Sequence, residues 1–161
     1  MTSSLFTAYK IAVQARLHEM KRTAEAALEQ LDETGLSWTP DQGSNSIAVI
    51  VKHMSGHMIS RWTDIFTTDG EKPDRNREAE FIPDQPTRQA LLERWERGWE
   101  AFLGQLEAIG EPQLLTEIYI YGKPLTVIEA IEKSLYHYAY HTGQIVYIAK
   151  EQLKDRWTSL S

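Results

Sequence analysis

The chain has 161 residues, 42% of them hydrophobic and 25% charged, with a formal charge of −6 and a pI near 5.4. That length and composition suit a single globular domain over residues 1–161, and the acidic balance with dispersed Lys and Arg argues against a nucleic-acid partner. The absence of cysteine excludes disulfides, thiolate metal ligands and a cysteine nucleophile. No apolar run approaches the roughly 20 residues of a membrane span, and "MTSSLFTAYKIAVQARLHEMKR" lacks the pattern of a signal peptide, so no membrane partner and a cytoplasmic location are expected.

Four long helical segments follow in chain order. Over residues 4–32, Phe6, Tyr9, Val13, Leu17, Met20, Ala24, Ala27, Leu28 and Leu31 recur at mostly three- and four-residue spacings. "ETGLSWTPDQGSNS" then has the composition of a loop. A second helix is expected over residues 46–67, with Asn45 or Ser44 as its N-cap. The stretch 67–87, "TTDGEKPDRNREAEFIPDQPT", carries three prolines and no sustained period. It reads as a long connection, of a length that is usually functional or an ordered surface cover. The third helix is expected over residues 87–109, started at Thr87 and stopped by Gly110 and Pro112. "TEIYIYGKP" alternates and is rich in β-formers, which predicts a short strand or hairpin before the last helix, over residues 126–153. The fold class is therefore all-α, a four-helix bundle with long connections.

The histidines are distributed unusually. Four of the five fall in two His-x-x-x-His pairs, "HMSGH" (His53, His57) on the second helix and "HYAYH" (His137, His141) on the last. Residues four apart share one face of a helix, so each pair could chelate one metal ion. On a helical wheel both pairs flank the apolar stripe, His57 and His141 nearer to it than His53 and His137. That placement suits the edge of a cleft between two helices; it equally suits surface residues, His53 and His137 most of all. "HYAYH" lacks the glutamate of a zincin, and no Glu-x-x-His, P-loop, G-x-G-x-x-G or G-x-S-x-G occurs.

"NSIAVIVKHMSGHM", "SRWTDIFTTDGEKPDRNREAEF" and "HYAYHTGQIVYIAK" together resemble the DinB/YfiT-like superfamily, also called bacillithiol-transferase-like. Within it they are most similar to a bacterial branch sharing the "SRW...DGEKP.R.RE.EF" block. The resemblance covers almost the whole chain. It implies a four-helix bundle with a divalent metal bound by one histidine of the second helix and two of the fourth. Carried over by position, these are His53, His137 and His141. The wheel prefers His57 to His53, whereas the family pattern aligns the first histidine of "VKHMSGHM" with the ligand. His57 is then a fourth ligand, a residue supporting a ligand, or a bystander. Gln144, almost one turn past His141, either hydrogen-bonds a ligand or is solvated.

Three neutral imidazoles suit zinc or nickel, with iron or manganese as further options, and leave a coordination place open. Such a centre acidifies a bound water or holds a bound thiol as thiolate. Characterised members of the superfamily imply the second: transfer of a low-molecular-weight thiol to an electrophile, the thiol arriving as a cosubstrate because this chain has no cysteine. A metal-dependent hydrolase and a non-catalytic metal-binding stress-response protein are the alternatives, and the resemblance also implies a homodimer. In residues 67–87, Arg75 and Arg77 either reach an anionic substrate or belong to a solvated loop.

Overall fold

A computed structural model describes residues 4–160. Its elements run α1 (Leu5–Glu29), α2 (Glu33–Leu36), α3 (Ile47–Trp62), α4 (Arg77–Glu80), α5 (Arg88–Ala108), β1 (Glu117–Ile120), β2 (Lys123–Thr126) and α6 (Val127–Leu153), with 3₁₀ turns at Glu111–Gln113 and Lys154–Arg156. The protein is mainly helical. Among the described residues, no helix is long and apolar enough to cross a membrane.

Each long helix starts where a hydroxyl can accept from the otherwise unpaired amides of its first turn. Ser4 accepts from the Thr7 amide, Thr87 from Ala90, and Thr126 shares a reciprocal capping box with Glu129. The cap of α3 is Ser46, not Asn45 or Ser44: the Ser46 hydroxyl accepts from Val49 at 3.3 Å, whereas that of Ser44 is held 3.0 Å from Asp41 Oδ2. Two helices are shorter than expected. α1 stops at Glu29, and Asp32 instead caps α2, a single turn within the expected loop. α3 stops at Trp62 because Thr63 is extended and Asp64 has a φ of 50°, a left-handed conformation that no helix continues.

α3 lies along α5 and α1 along α6, with α3 also touching α6 and α4. Leu91, Trp95, Trp99, Phe102 and Leu106 form the buried stripe of α5. Trp62 stacks on Phe102 at 4.3 Å, and Tyr138 of α6 meets the edges of Trp99 and Phe102. The aromatic residues thus form one core joined to that of α1 and α6.

The hairpin is present. β1 and β2 pair antiparallel, Glu117 opposite Thr126 through Ile120 opposite Lys123. Tyr121 and Gly122, with φ of 54° and 67°, form the two-residue turn whose twist matches paired strands. Asp69 accepts from both turn amides, at 2.9 and 2.7 Å, and the Gly70 amide donates to Tyr119 O at 2.7 Å. The connection after α3 and the hairpin are therefore one unit.

Gly98 marks the closest approach of α5 to α3: a Cβ there would stand 2.8 Å from Ser55 Cα, whereas one at Gly104 would meet nothing within 4 Å. Gly98→Ala is expected to lower the unfolding free energy by about 1–3 kcal/mol through overpacking. Gly104→Ala, on the exposed side of the same helix, is expected to raise it by up to about 1 kcal/mol. Urea midpoints at constant m-value would measure both, and equal effects would contradict the close α3–α5 approach.

Candidate metal centre

The site forms where α3, α4 and α6 meet. α3 supplies His53 and His57, α6 supplies His137, His141 and Gln144, and α4 supplies Glu80. His137 Nε2 lies 2.9 Å from His141 Nε2 and 3.2 Å from His53 Nε2. His53, His137 and His141 each offer one nitrogen, all within 4.8 Å of one another. His53 and His141 are buried, at 4% and 7% exposure, and His137 is partly buried.

The protons of two of these rings are fixed from behind. His53 Nδ1 donates to Glu80 Oε2 at 2.9 Å, and His141 Nδ1 donates to Gln144 Oε1 at 2.7 Å. The Gln144 amide is itself oriented by donating to the Tyr140 hydroxyl at 3.0 Å. With Nδ1 protonated, a neutral imidazole carries its lone pair on Nε2. Two lone pairs therefore point at His137 Nε2, which as a neutral ring has at most one proton to give. At least one of the two close nitrogen–nitrogen contacts lacks a proton between its atoms, an arrangement that a cation would satisfy.

Glu80 is able to orient His53 because it is itself held as an anion. Arg75 grips it with two hydrogen bonds, Nε to Oε1 and Nη2 to Oε2, both 2.8 Å. Burial alone would raise its pKa; the hydrogen bonds from His53 and Arg75 outweigh this and keep the carboxyl below its ordinary range. Arg75 also donates to Glu71 at 3.0 Å, and Glu71 accepts from Arg61 at 2.5 Å. Arg61, Glu71, Arg75, Glu80 and His53 thus form a continuous chain of alternating partners.

His137, His141 and His57 are held neutral. Burial, then the neighbouring His141 and His53, pushes His137 down to about 3. Burial pushes His141 down to about 4, with the Gln144 bond working in the opposite direction and His53 adding to the depression. His57 is lowered well below its usual value, chiefly by burial and then by His137. At neutral pH these imidazoles present lone pairs rather than charges.

His57 stands apart from the three converging nitrogens. Its Nδ1 lies 2.9 Å from the Tyr138 hydroxyl and its ring 4.3 Å from that of His137. The wheel's preference for His57 over His53 is therefore reversed in the cluster. The wheel treats the His53 side of α3 as outward, but α4 covers it: Phe81 packs on the His53 ring at 4.6 Å and Glu80 bonds its Nδ1. Gln144 is half-buried and is hydrogen-bonded to His141. Arg75 is occupied by carboxylates of its own chain, whereas Arg77 is exposed and lies over the Phe81 ring. Glu80 has no counterpart in the sequence reading; its only trace is the acidic "REAEF" of a stretch read as a connection.

A cavity of about 710 Å³ reaches the cluster, with His53, His57 and His137 in its wall. Its far side is built from the hairpin and the first half of α6.

The chain belongs to the DUF1572 family, described as a protein of unknown function, whose model matches residues 4–161. Its fold is similar to the crystal structure of a conserved protein from Enterococcus faecalis, with 17% identity, a TM-score of 0.68, and coverage of 86% of this chain and 94% of that chain. No curated protein matches it.

Gly56, between the histidines of "HMSGH", is the space into which Glu80 fits: a Cβ there would collide with Oε1 and stand 2.9 Å from Cδ. Gly56→Ala is expected to displace Glu80 from His53 and cost about 1–3 kcal/mol of stability, since a buried carboxylate loses a partner. The His53 Nδ1–H resonance in proton NMR would vanish or move upfield, and its persistence would show that Glu80 does not hold that proton.

Proposed function

We propose that this member of the DUF1572 family is a divalent-metal-binding enzyme in which His53, His137 and His141 hold the metal and the adjoining cavity admits substrate. The observation that carries the reading is the convergence of three Nε2 atoms, two of them with their Nδ1 protons already committed to Glu80 and Gln144. Ligands about 2.0–2.1 Å from a metal stand about 3.3 Å apart in a tetrahedral arrangement and about 2.9 Å apart when at right angles. The contacts of 2.9 and 3.2 Å lie in that range, so the donor set fits. Three imidazoles without a thiolate favour zinc or nickel. The pairing of α3 with α5 and of α1 with α6 supports a four-helix bundle, a fold that builds metal sites from facing helices.

The cavity favours a catalytic centre over a capped structural one, because it leaves His53 and His137 facing open volume. When bound, the metal would supply a Lewis acid that lowers the pKa of a coordinated thiol or water. Glu80 and Gln144 keep the ligand rings in one tautomer, and His57, anchored through Nδ1 to Tyr138, leaves Nε2 to hydrogen-bond a substrate. The DinB-like resemblance favours thiol S-transfer, with a low-molecular-weight thiol as cosubstrate.

Metal analysis by mass spectrometry on untagged protein is expected to find near-stoichiometric zinc or nickel, abolished by alanine at His53, His137 or His141 and retained by His57→Ala. Glu80→Gln, which keeps the shape and loses the charge, is expected to weaken metal binding by about 10–100-fold. Wild-type protein that stays metal-free after incubation with zinc and nickel would refute the reading. With metal bound, alkylation of a small thiol is expected to be first order in protein and lost in His137→Ala; ester hydrolysis without thiol alkylation would make the enzyme a hydrolase.

A further inference from the structure

The cavity beside the histidines has a charge balance opposite to that of the chain. Five cationic side chains line it, in a protein of net charge −6. Two of them, Arg61 and Arg75, are held by Glu71 and Glu80. The other three, Arg77, Lys123 and Lys133, come from α4, β2 and α6, and among the described residues none has a carboxylate within ion-pair distance. Glu132 is the one acid in the wall, and its carboxylate accepts from the Tyr9 hydroxyl at 2.9 Å. The mouth therefore carries two positive charges in excess, brought together from α4 and from the adjoining β2 and α6.

Away from the histidines and Ser134, the rest of the wall is apolar or aromatic. Ile120, Pro124, Leu125 and Ala130 line it, and the Arg61 guanidinium lies over the Tyr121 ring at 4.9 Å, which holds that ring at the wall. Unpaired cations around an apolar wall form a complementary surface for an organic anion with a hydrophobic body, in a volume that suits a small molecule.

We infer that this cavity binds a small organic anion, its acidic group on Arg77, Lys123 and Lys133 and its apolar body against Tyr121, Pro124 and Leu125. The orientation, with the other end of the ligand toward the histidines, rests on the metal-site reading; the anion site itself does not.

The probe is 8-anilinonaphthalene-1-sulfonate, an aromatic body carrying one sulfonate, titrated by fluorescence against the whole protein. Wild-type protein is expected to bind it, with competition by phenyl phosphate and none by benzyl alcohol. The triple substitution Arg77→Ala, Lys123→Ala and Lys133→Ala removes only exposed side chains and is expected to raise the probe Kd by about tenfold or more. Pro124→Glu, which sets a carboxylate on the apolar wall, is expected to weaken binding comparably. Wild-type protein without fluorescence enhancement, or an unchanged Kd in the triple variant, would overturn the inference. Metal content separates the two readings. The triple variant should keep the metal of the wild type, and lost probe binding in a protein that holds no metal would sustain the anion site while refuting the metal centre.

Discussion

The buried carboxylate of Glu80 is the constraint around which this end of the molecule is arranged. An ionised group at 7% exposure is tolerated only if its charge and lone pairs are met from all sides. Arg75 meets two of its oxygen directions and His53 a third. Gly56 supplies the room, Asn76 caps the short α4 that presents it, and Glu71 shares Arg75 with it while also holding Arg61 of α3. Remove the anion and Arg75 is left buried, the proton on His53 is free to migrate, and α4 has no polar tie to α3. One side chain thus sets both the position of a backbone segment and the face that an imidazole presents.

Helix α3 has two unlike neighbours, and the difference explains where a cavity can exist. Toward α5 its backbone approaches closely through Gly98 and Ser55, whose hydroxyl donates to Arg94 O at 2.6 Å, and the seam is filled by tryptophans. Toward α6 it is spaced by imidazoles and Tyr138, which reach across rather than interdigitate. The aromatic core therefore acts as a rigid backing, and the polar seam opposite it stays open as a cavity.

Much of this was legible in the sequence because it depends on local periodicity. The four long helices follow from their apolar repeats, the hairpin from an alternating β-rich run ending at Tyr121–Gly122, and the proximity of the histidine pairs from spacing on helices that must pack together. What escaped depends on contacts distant in sequence. Glu80 sits 27 residues after His53 in a stretch without period, and nothing local distinguishes it from Glu78, which is exposed. The ranking of His57 above His53 failed for the same reason: a wheel knows the axis of one helix but not which segment returns to cover its flank. The end of α3 at Trp62 was hidden likewise, since Ile65 and Phe66 continue the apolar pattern while the backbone turns at Asp64.

The hold of Asp69 on the hairpin turn has a mechanical meaning. Strands of four residues paired only to each other are marginal in water, so this hairpin borrows its order from the segment that follows α3. Lys123, Tyr121 and Pro124 ride on it, while the three nitrogens are carried by long helices and their own polar ties. The cavity entrance and the histidine cluster are thus suspended from different supports. The doorway can be remodelled by sequence drift while the histidine cluster beneath keeps its shape.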